Sequence, residues 1–126
     1  MQPARDYRDL RVWQSAMELT ESVYALAKLL PGEEKFALSD QLRRAAVSIP
    51  ANIAEGQARG HIREFLRYAC MARGSLAELE TLVQLVARLN YATAPQIQPL
   101  QDRLDELRRA LDGLTSALRR KLSPAA

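Results

Sequence analysis

One cysteine, Cys70, and one histidine, His61, stand in the whole chain. A lone thiol cannot close an internal disulfide, and a lone thiol with a lone imidazole cannot build a Cys/His zinc cluster within one subunit. No apolar run approaches the ~20 residues a membrane-crossing helix needs, and Met1 to Tyr7 lacks the apolar stretch of a secretory leader. A cytoplasmic location without membrane contact is expected. Glycine-rich phosphate loops, nucleophile elbows and paired metal motifs are all missing. The position three residues before His61 is Ala58, so the Glu-x-x-His pairs of a di-iron bundle are missing too. These absences argue against an enzyme: no catalytic, cofactor-binding or metal-binding residue is expected.

What the chain does have is leucine, alanine and arginine. Its 126 residues are 48% apolar and 26% charged, with five Gly and six Pro. That suits one helical domain spanning 1–126, long enough to bury roughly two-thirds of the surface the unfolded chain exposes. The formal charge of +3 is too small to identify a nucleic-acid binder by itself. Fifteen of the eighteen basic residues are Arg, however, and a guanidinium fork suits both phosphate and interface carboxylates.

Apolar periodicity divides the chain into four helices, roughly 8–30, 33–56, 61–89 and 94–122. In the first, Val12, Ala16, Leu19, Val23, Leu26 and Leu30 form one face, ended by Leu30-Pro31-Gly32. Trp13, Met17, Tyr24 and Ala27 widen that face beyond a simple stripe, which implies more than one packing partner. Glu33 and Glu34 are placed to open the second helix, whose seam is Leu38, Leu42, Ala45, Ile49 and Ile53, with Gly56 as its stop. Pro50 interrupts this helix, removes the bond to the Ala46 carbonyl and predicts a kink near 46–50. The third seam is Ile62, Phe65, Ala69, Ala72, Leu76, Leu79, Val83 and Val86, and the fourth Ile97, Leu100, Leu104, Leu107, Leu111, Leu114 and Leu118. Thr93 is the expected N-cap of the last helix, and 123–126 are expected to fray. Connections this short make successive helices neighbours, so the expected fold is all-α: an antiparallel up-down-up-down four-helix bundle with its second helix kinked at Pro50.

Two stretches resemble a known family. One is Tyr7-Arg8-Asp9-Leu10-Arg11-Val12-Trp13-Gln14 followed by Ala16; the other, longer and more specific, runs from Gln41 through Arg44-Ala45-Ala46-Val47-Ser48-Ile49-Pro50-Ala51-Asn52 to Gly56. Together with Gly74-Ser75-Leu76-Ala77-Glu78-Leu79-Glu80 they resemble the four-helix bundle proteins encoded in intervening sequences of bacterial 23S rRNA genes. The resemblance covers roughly residues 7–91 and implies a homopentameric ring. It also implies kinship with the accessory variability proteins of diversity-generating retroelements, basic pentamers that bind nucleic acid and a reverse transcriptase.

Two constellations are candidate binding surfaces. Gln41, Arg44, Ser48, Asn52 and Glu55 recur at helical spacing and form a polar ridge about 100° from the apolar seam. Arg44 and Glu55 lie about 16 Å apart along the axis, so each is expected to take its partner from another helix or another subunit. Ser48 and Asn52 are also placed to occupy carbonyls freed by Pro50. The ridge therefore reads either as an oligomer interface or as support for the kink beside solvated charges. The second constellation is Arg59, Arg63 and Arg67 with His61 nearby, opposed by Glu64 and extended by Arg43; it reads as a phosphate-binding stripe or as a solvated face. Arg5, Arg8 and Arg11 would supplement it, partly cancelled by Asp6 and Asp9, and Arg119, Arg120 and Lys121 complement the dipole of the last helix. Tyr7, Trp13 and Tyr24 are expected as core or interface anchors, and Cys70 as a small buried hydrophobe. Two functions remain: an oligomer that holds RNA or DNA, serving a reverse transcriptase if it accompanies a retroelement, or a protein-interaction module whose arginines only join subunits.

Overall fold

The described chain begins at Asp6. Its Oδ1 accepts the Arg8 N–H at 2.8 Å, closing a 3-10 turn at Tyr7–Asp9 ahead of the first helix. The computed structural model describes residues 6–122; Arg5 and the 123–126 segment lie outside them. The helices are α1 (Arg11–Ala27), α2 (Leu38–Ala58), α3 (Ile62–Arg88) and α4 (Ala94–Leu122), and no strand occurs among the described residues. Each helix packs against its neighbour in the chain, and α4 returns to α1. Pairings run in opposite directions along the α1–α2 and α3–α4 seams: Ala27 meets Ser39 and Ala46 meets Thr20; Glu80 meets Arg108 and Asp112 meets Arg73.

The core is what the periodicity requires. Leu19, Leu42, Ile49, Ile53, Leu76, Leu79, Leu104, Leu107 and Leu111 are fully buried. Each contributes about 1.5–3 kcal/mol by leaving water. The third seam extends past the core at its start, where Ile62 is exposed and Phe65 only half-buried. No buried side-chain nitrogen or oxygen among the described residues lacks a partner.

Four local expectations need correction. The first helix ends at Ala27, and Glu33 and Glu34 belong to a 3-10 turn, Gly32–Glu34, instead of opening α2. Pro31 is extended there, with ψ 156, so the chain cannot re-enter a helix directly. Glu34 instead accepts the Tyr91 hydroxyl at 2.8 Å, tying the α1–α2 connection to the α3–α4 connection. Gly56 is not a stop: the helix runs on to Ala58, and the left-handed residue that turns the chain is Gly60, with φ 77. Gly56 serves close packing, because a Cβ there would stand 2.6 Å from that of Tyr68. Cys70 is exposed, since it lies one helical step off the seam position Ala69, and its Sγ receives Arg119 Nη2 at 3.5 Å.

The fourth correction concerns the carbonyl that Pro50 frees. Pro50 lies inside α2, and the Ala46 carbonyl it cannot serve is met from α1, by Thr20 Oγ1 at 3.2 Å, a hydroxyl proton shared with the Ala16 carbonyl at 2.8 Å. Ser48 and Asn52 do not reach that carbonyl; Ser48 bonds the Ala45 oxygen and Asn52 the Ser48 oxygen, both at 2.8 Å. A helix defect is thus converted into a contact between helices. At the start of α4, Thr93 is held by the glutamine half of a capping box: its carbonyl accepts the Ile97 N–H at 3.1 Å, and its own N–H is met by Gln96 Oε1 at 2.8 Å.

Candidate functional site

Antiparallel packing brings the start of α1, the end of α2, the start of α3 and the end of α4 together. Cations gather there: Arg8, Arg11, Arg59, Arg63, Arg67, Arg119, Arg120 and Lys121 outnumber Asp6, Asp9, Glu55 and Glu64 two to one. The rest of the described chain carries more carboxylates than cations, so the whole basic excess sits at this end.

The expected stripe does not lie bare. Arg59 Nη2 donates to Glu55 Oε1 at 3.1 Å and to the Tyr68 hydroxyl at 2.8 Å, and that hydroxyl donates to Glu55 at 3.3 Å. Arg67 Nε donates to Glu64 Oε2 at 2.9 Å. Both guanidiniums also lie against the Tyr68 ring, their carbons 5.2 and 4.7 Å from its centroid, a favourable cation–π distance. The Glu55 hydrogen bond holds the Arg59 pKa above its ordinary value, and the Glu64 bond does the same for Arg67. Reciprocally, Arg67 pulls Glu64 below the usual carboxylate range. Glu55, assigned in sequence to the ridge, is therefore a partner of the stripe, and the two constellations meet at Tyr68.

That leaves Arg11, Arg63, Arg119, Arg120 and Lys121 outside any ion pair among the described residues. Lys121 shares a surface hollow with His61, Ile62 and Phe65, so the last turn of α4 adjoins the first turns of α3. Arg43 does not extend the stripe. It stands sixteen residues before Arg59 on the same helix, about 24 Å away along the axis, and its Nη2 donates to the Lys35 carbonyl at 3.3 Å.

The ridge also resolves differently. Arg44 needs no partner outside its helix, because its Nε donates to Asp40 at 2.8 Å. Gln41 is exposed, while Ser48 and Asn52 are half-buried and bonded within α2. Beside them runs a groove lined by Met17, Thr20, Glu21 and Tyr24 of α1 and by Val47 and Pro50 of α2. Met17, Tyr24 and Val47 are about two-fifths exposed in it. It continues into a hollow edged by Asp40, Arg43, Arg44 and Ser48. The wide α1 face read from sequence pointed to this groove through Met17 and Tyr24. Val47 went unnoticed because it lies outside the α2 seam. Of the other aromatic anchors, Tyr7 and Trp13 are half-buried and meet edge to face at 5.3 Å between centroids.

Comparison with known proteins fits this architecture. The family model for the 23S rRNA-intervening sequence protein matches residues 8–113. The chain belongs to that family. A crystal structure of a protein of unknown function from the S23 ribosomal protein family of Bacteroides thetaiotaomicron VPI-5482 is similar in fold, with a TM-score of 0.76. The two are 27% identical over 82% of this chain and 97% of that one. No curated protein matches the chain. The family match includes α1, α2, α3 and all of α4 up to Gly113, so the groove lies inside it, whereas Arg119, Arg120 and Lys121 lie beyond it. No described helix is long and apolar enough to cross a membrane, and no cluster of three metal-ligating side chains occurs among the described residues.

Proposed function

We propose that this member of the family is a non-enzymatic, self-associating bundle that presents a basic end to the phosphates of RNA or DNA. The carrying observation is the uneven charge. A chain of net +3 that places its entire excess at one end, on surface side chains, has the electrostatic footprint of a phosphate binder. The exposed apolar groove supports association, since contiguous apolar surface of this kind marks contact with another protein. Association repeats a patch that would be weak in one copy and raises its effective affinity. The resemblance gives five as the number of copies, the cytoplasm as the place, and a reverse transcriptase as a further partner where a retroelement accompanies the gene.

A second reading is favoured by one observation. Arg59 and Arg67 are already neutralised by Glu55 and Glu64, as expected of a module whose arginines serve protein contacts alone. Gel mobility shifts with generic RNA and duplex DNA across a salt series separate the two. Phosphate binding predicts micromolar or tighter affinity that falls steeply with salt, the slope easing by about one for each phosphate contact removed. Replacing Arg63, Arg120 and Lys121 by Ala is expected to weaken binding more than replacing Arg59 and Arg67, which give up carboxylates to reach phosphate. Unchanged mobility at low salt would sink the nucleic-acid reading and leave the interaction module.

A further inference from the structure

The connection between α1 and α2 carries the most exposed large apolar side chain among the described residues. Phe36 is 87% exposed, and Lys35 Nζ lies 5.4 Å from its ring centroid. Nothing periodic in the sequence requires an aromatic there, because Phe36 precedes the first seam residue of α2, Leu38. A solitary exposed apolar residue is common on protein surfaces, but a nearly bare phenyl ring is a costly thing to leave in water.

The same molecule has a hole without a filling. The groove between α1 and α2 exposes Met17, Tyr24 and Val47 and holds one carboxylate, Glu21. Among the described residues neither Glu21 nor Lys35 forms an ion pair. Phe36 does not reach its own groove, because Val47, the nearest α2 residue lining it, lies nine residues beyond Leu38, about 13.5 Å along the α2 axis.

We infer that Phe36 of one copy seats in the Met17–Tyr24–Val47 groove of the next, with Lys35 meeting Glu21 across the contact. This rests on the self-association reading above and names its contact. Aromatic anchors in apolar pockets flanked by opposite charges are the usual energetic centre of an interface. Knob and hole occupy different places on the surface, so the contact is head-to-tail: each copy offers a free knob at one side and a free hole at the other. Such a contact builds a closed ring where the rotation closes.

The test is the mass of the full chain by light scattering over a concentration series, with thermal melts as a folding control. Phe36→Ala removes an exposed side chain, so it is expected to keep the fold and weaken association at least tenfold. Glu21→Lys and Lys35→Glu are each expected to weaken association, and the double variant to recover most of the loss. A wild-type chain that stays monomeric throughout would remove both the self-association reading and this contact. An assembled wild type whose mass survives Phe36→Ala overturns the contact alone, and an unrecovered double variant overturns the Lys35–Glu21 pairing.

Discussion

The α1–α2 seam and the α3–α4 seam bury similar aliphatic side chains yet are finished differently on the outside. Across α3–α4 the surface is bridged by charge: Arg108 reaches Glu80, and Arg73 reaches Asp112 at 2.9 Å, with Asp105 adding a second contact to Arg108 at 3.1 Å. The Glu80 hydrogen bond raises the Arg108 pKa, the sign expected when the charged form is held by a partner. Across α1–α2 no ion pair joins the helices among the described residues. Two hydroxyls do the joining instead, Thr20 on the Ala46 carbonyl and Ser39 on the Ala27 carbonyl. One seam meets water with charges. The other shows it Met17, Tyr24 and Val47. This face, with no ion pair across it, is the one to which the proposed self-association assigns a partner.

The sharpest way to break that contrast is Thr20→Val. Valine keeps the shape but leaves the buried Ala46 carbonyl without a partner, which costs about 1–3 kcal/mol. A urea melt with an unchanged slope reads the loss as a shifted midpoint. Pro50→Ala restores an N–H that Ala46 can accept, so in that background the cost of Thr20→Val is expected to fall well below its value in the parent chain. Equal costs in both backgrounds would show that the hydroxyl does not compensate the proline.

A smaller loss is expected on the other seam. Glu80→Gln keeps the shape and removes the charge shared by Arg108 and Arg73. These side chains are a fifth to a third exposed, so the loss should be about 1 kcal/mol or less. Its diagnostic feature is salt: added NaCl shrinks the effect of Glu80→Gln and leaves that of Thr20→Val nearly unchanged. Matching salt responses would erase the distinction between the seams.

The core was legible because burial repeats at the helical period: Val12 to Leu30, Leu38 to Ile53 and Leu100 to Leu118 follow from spacing alone. What escaped was whatever depends on a contact distant in sequence. Thr20 has no feature that pairs it with a carbonyl 26 residues away. Gly56 reads locally as a helix stop, and its packing against Tyr68 emerges only once α3 folds back. Glu55 and Arg59, by contrast, stand four residues apart on one helix, so their pairing was visible in principle. The family resemblance rested on the α2 motif, and that motif supplies the groove's Val47 and Pro50. Phe36 lay outside every period and every matched motif, which is why only the coordinates single it out.

The smallest expected effect has the opposite sign. Gly74 sits within α3, in a place where a Cβ would meet nothing within 4 Å. Glycine inside a helix costs roughly 0.5–1 kcal/mol relative to alanine, so Gly74→Ala is expected to stabilise the chain by about that amount. If association uses the α1–α2 face, the added methyl on α3 changes the melt and not the assembled mass. A gain in stability accompanied by a loss of assembly would mean that another molecule approaches the backbone at Gly74. The contact face would then have to be reassigned from the uncharged seam to α3, because only a partner's close approach could penalise a methyl group that its own chain leaves untouched.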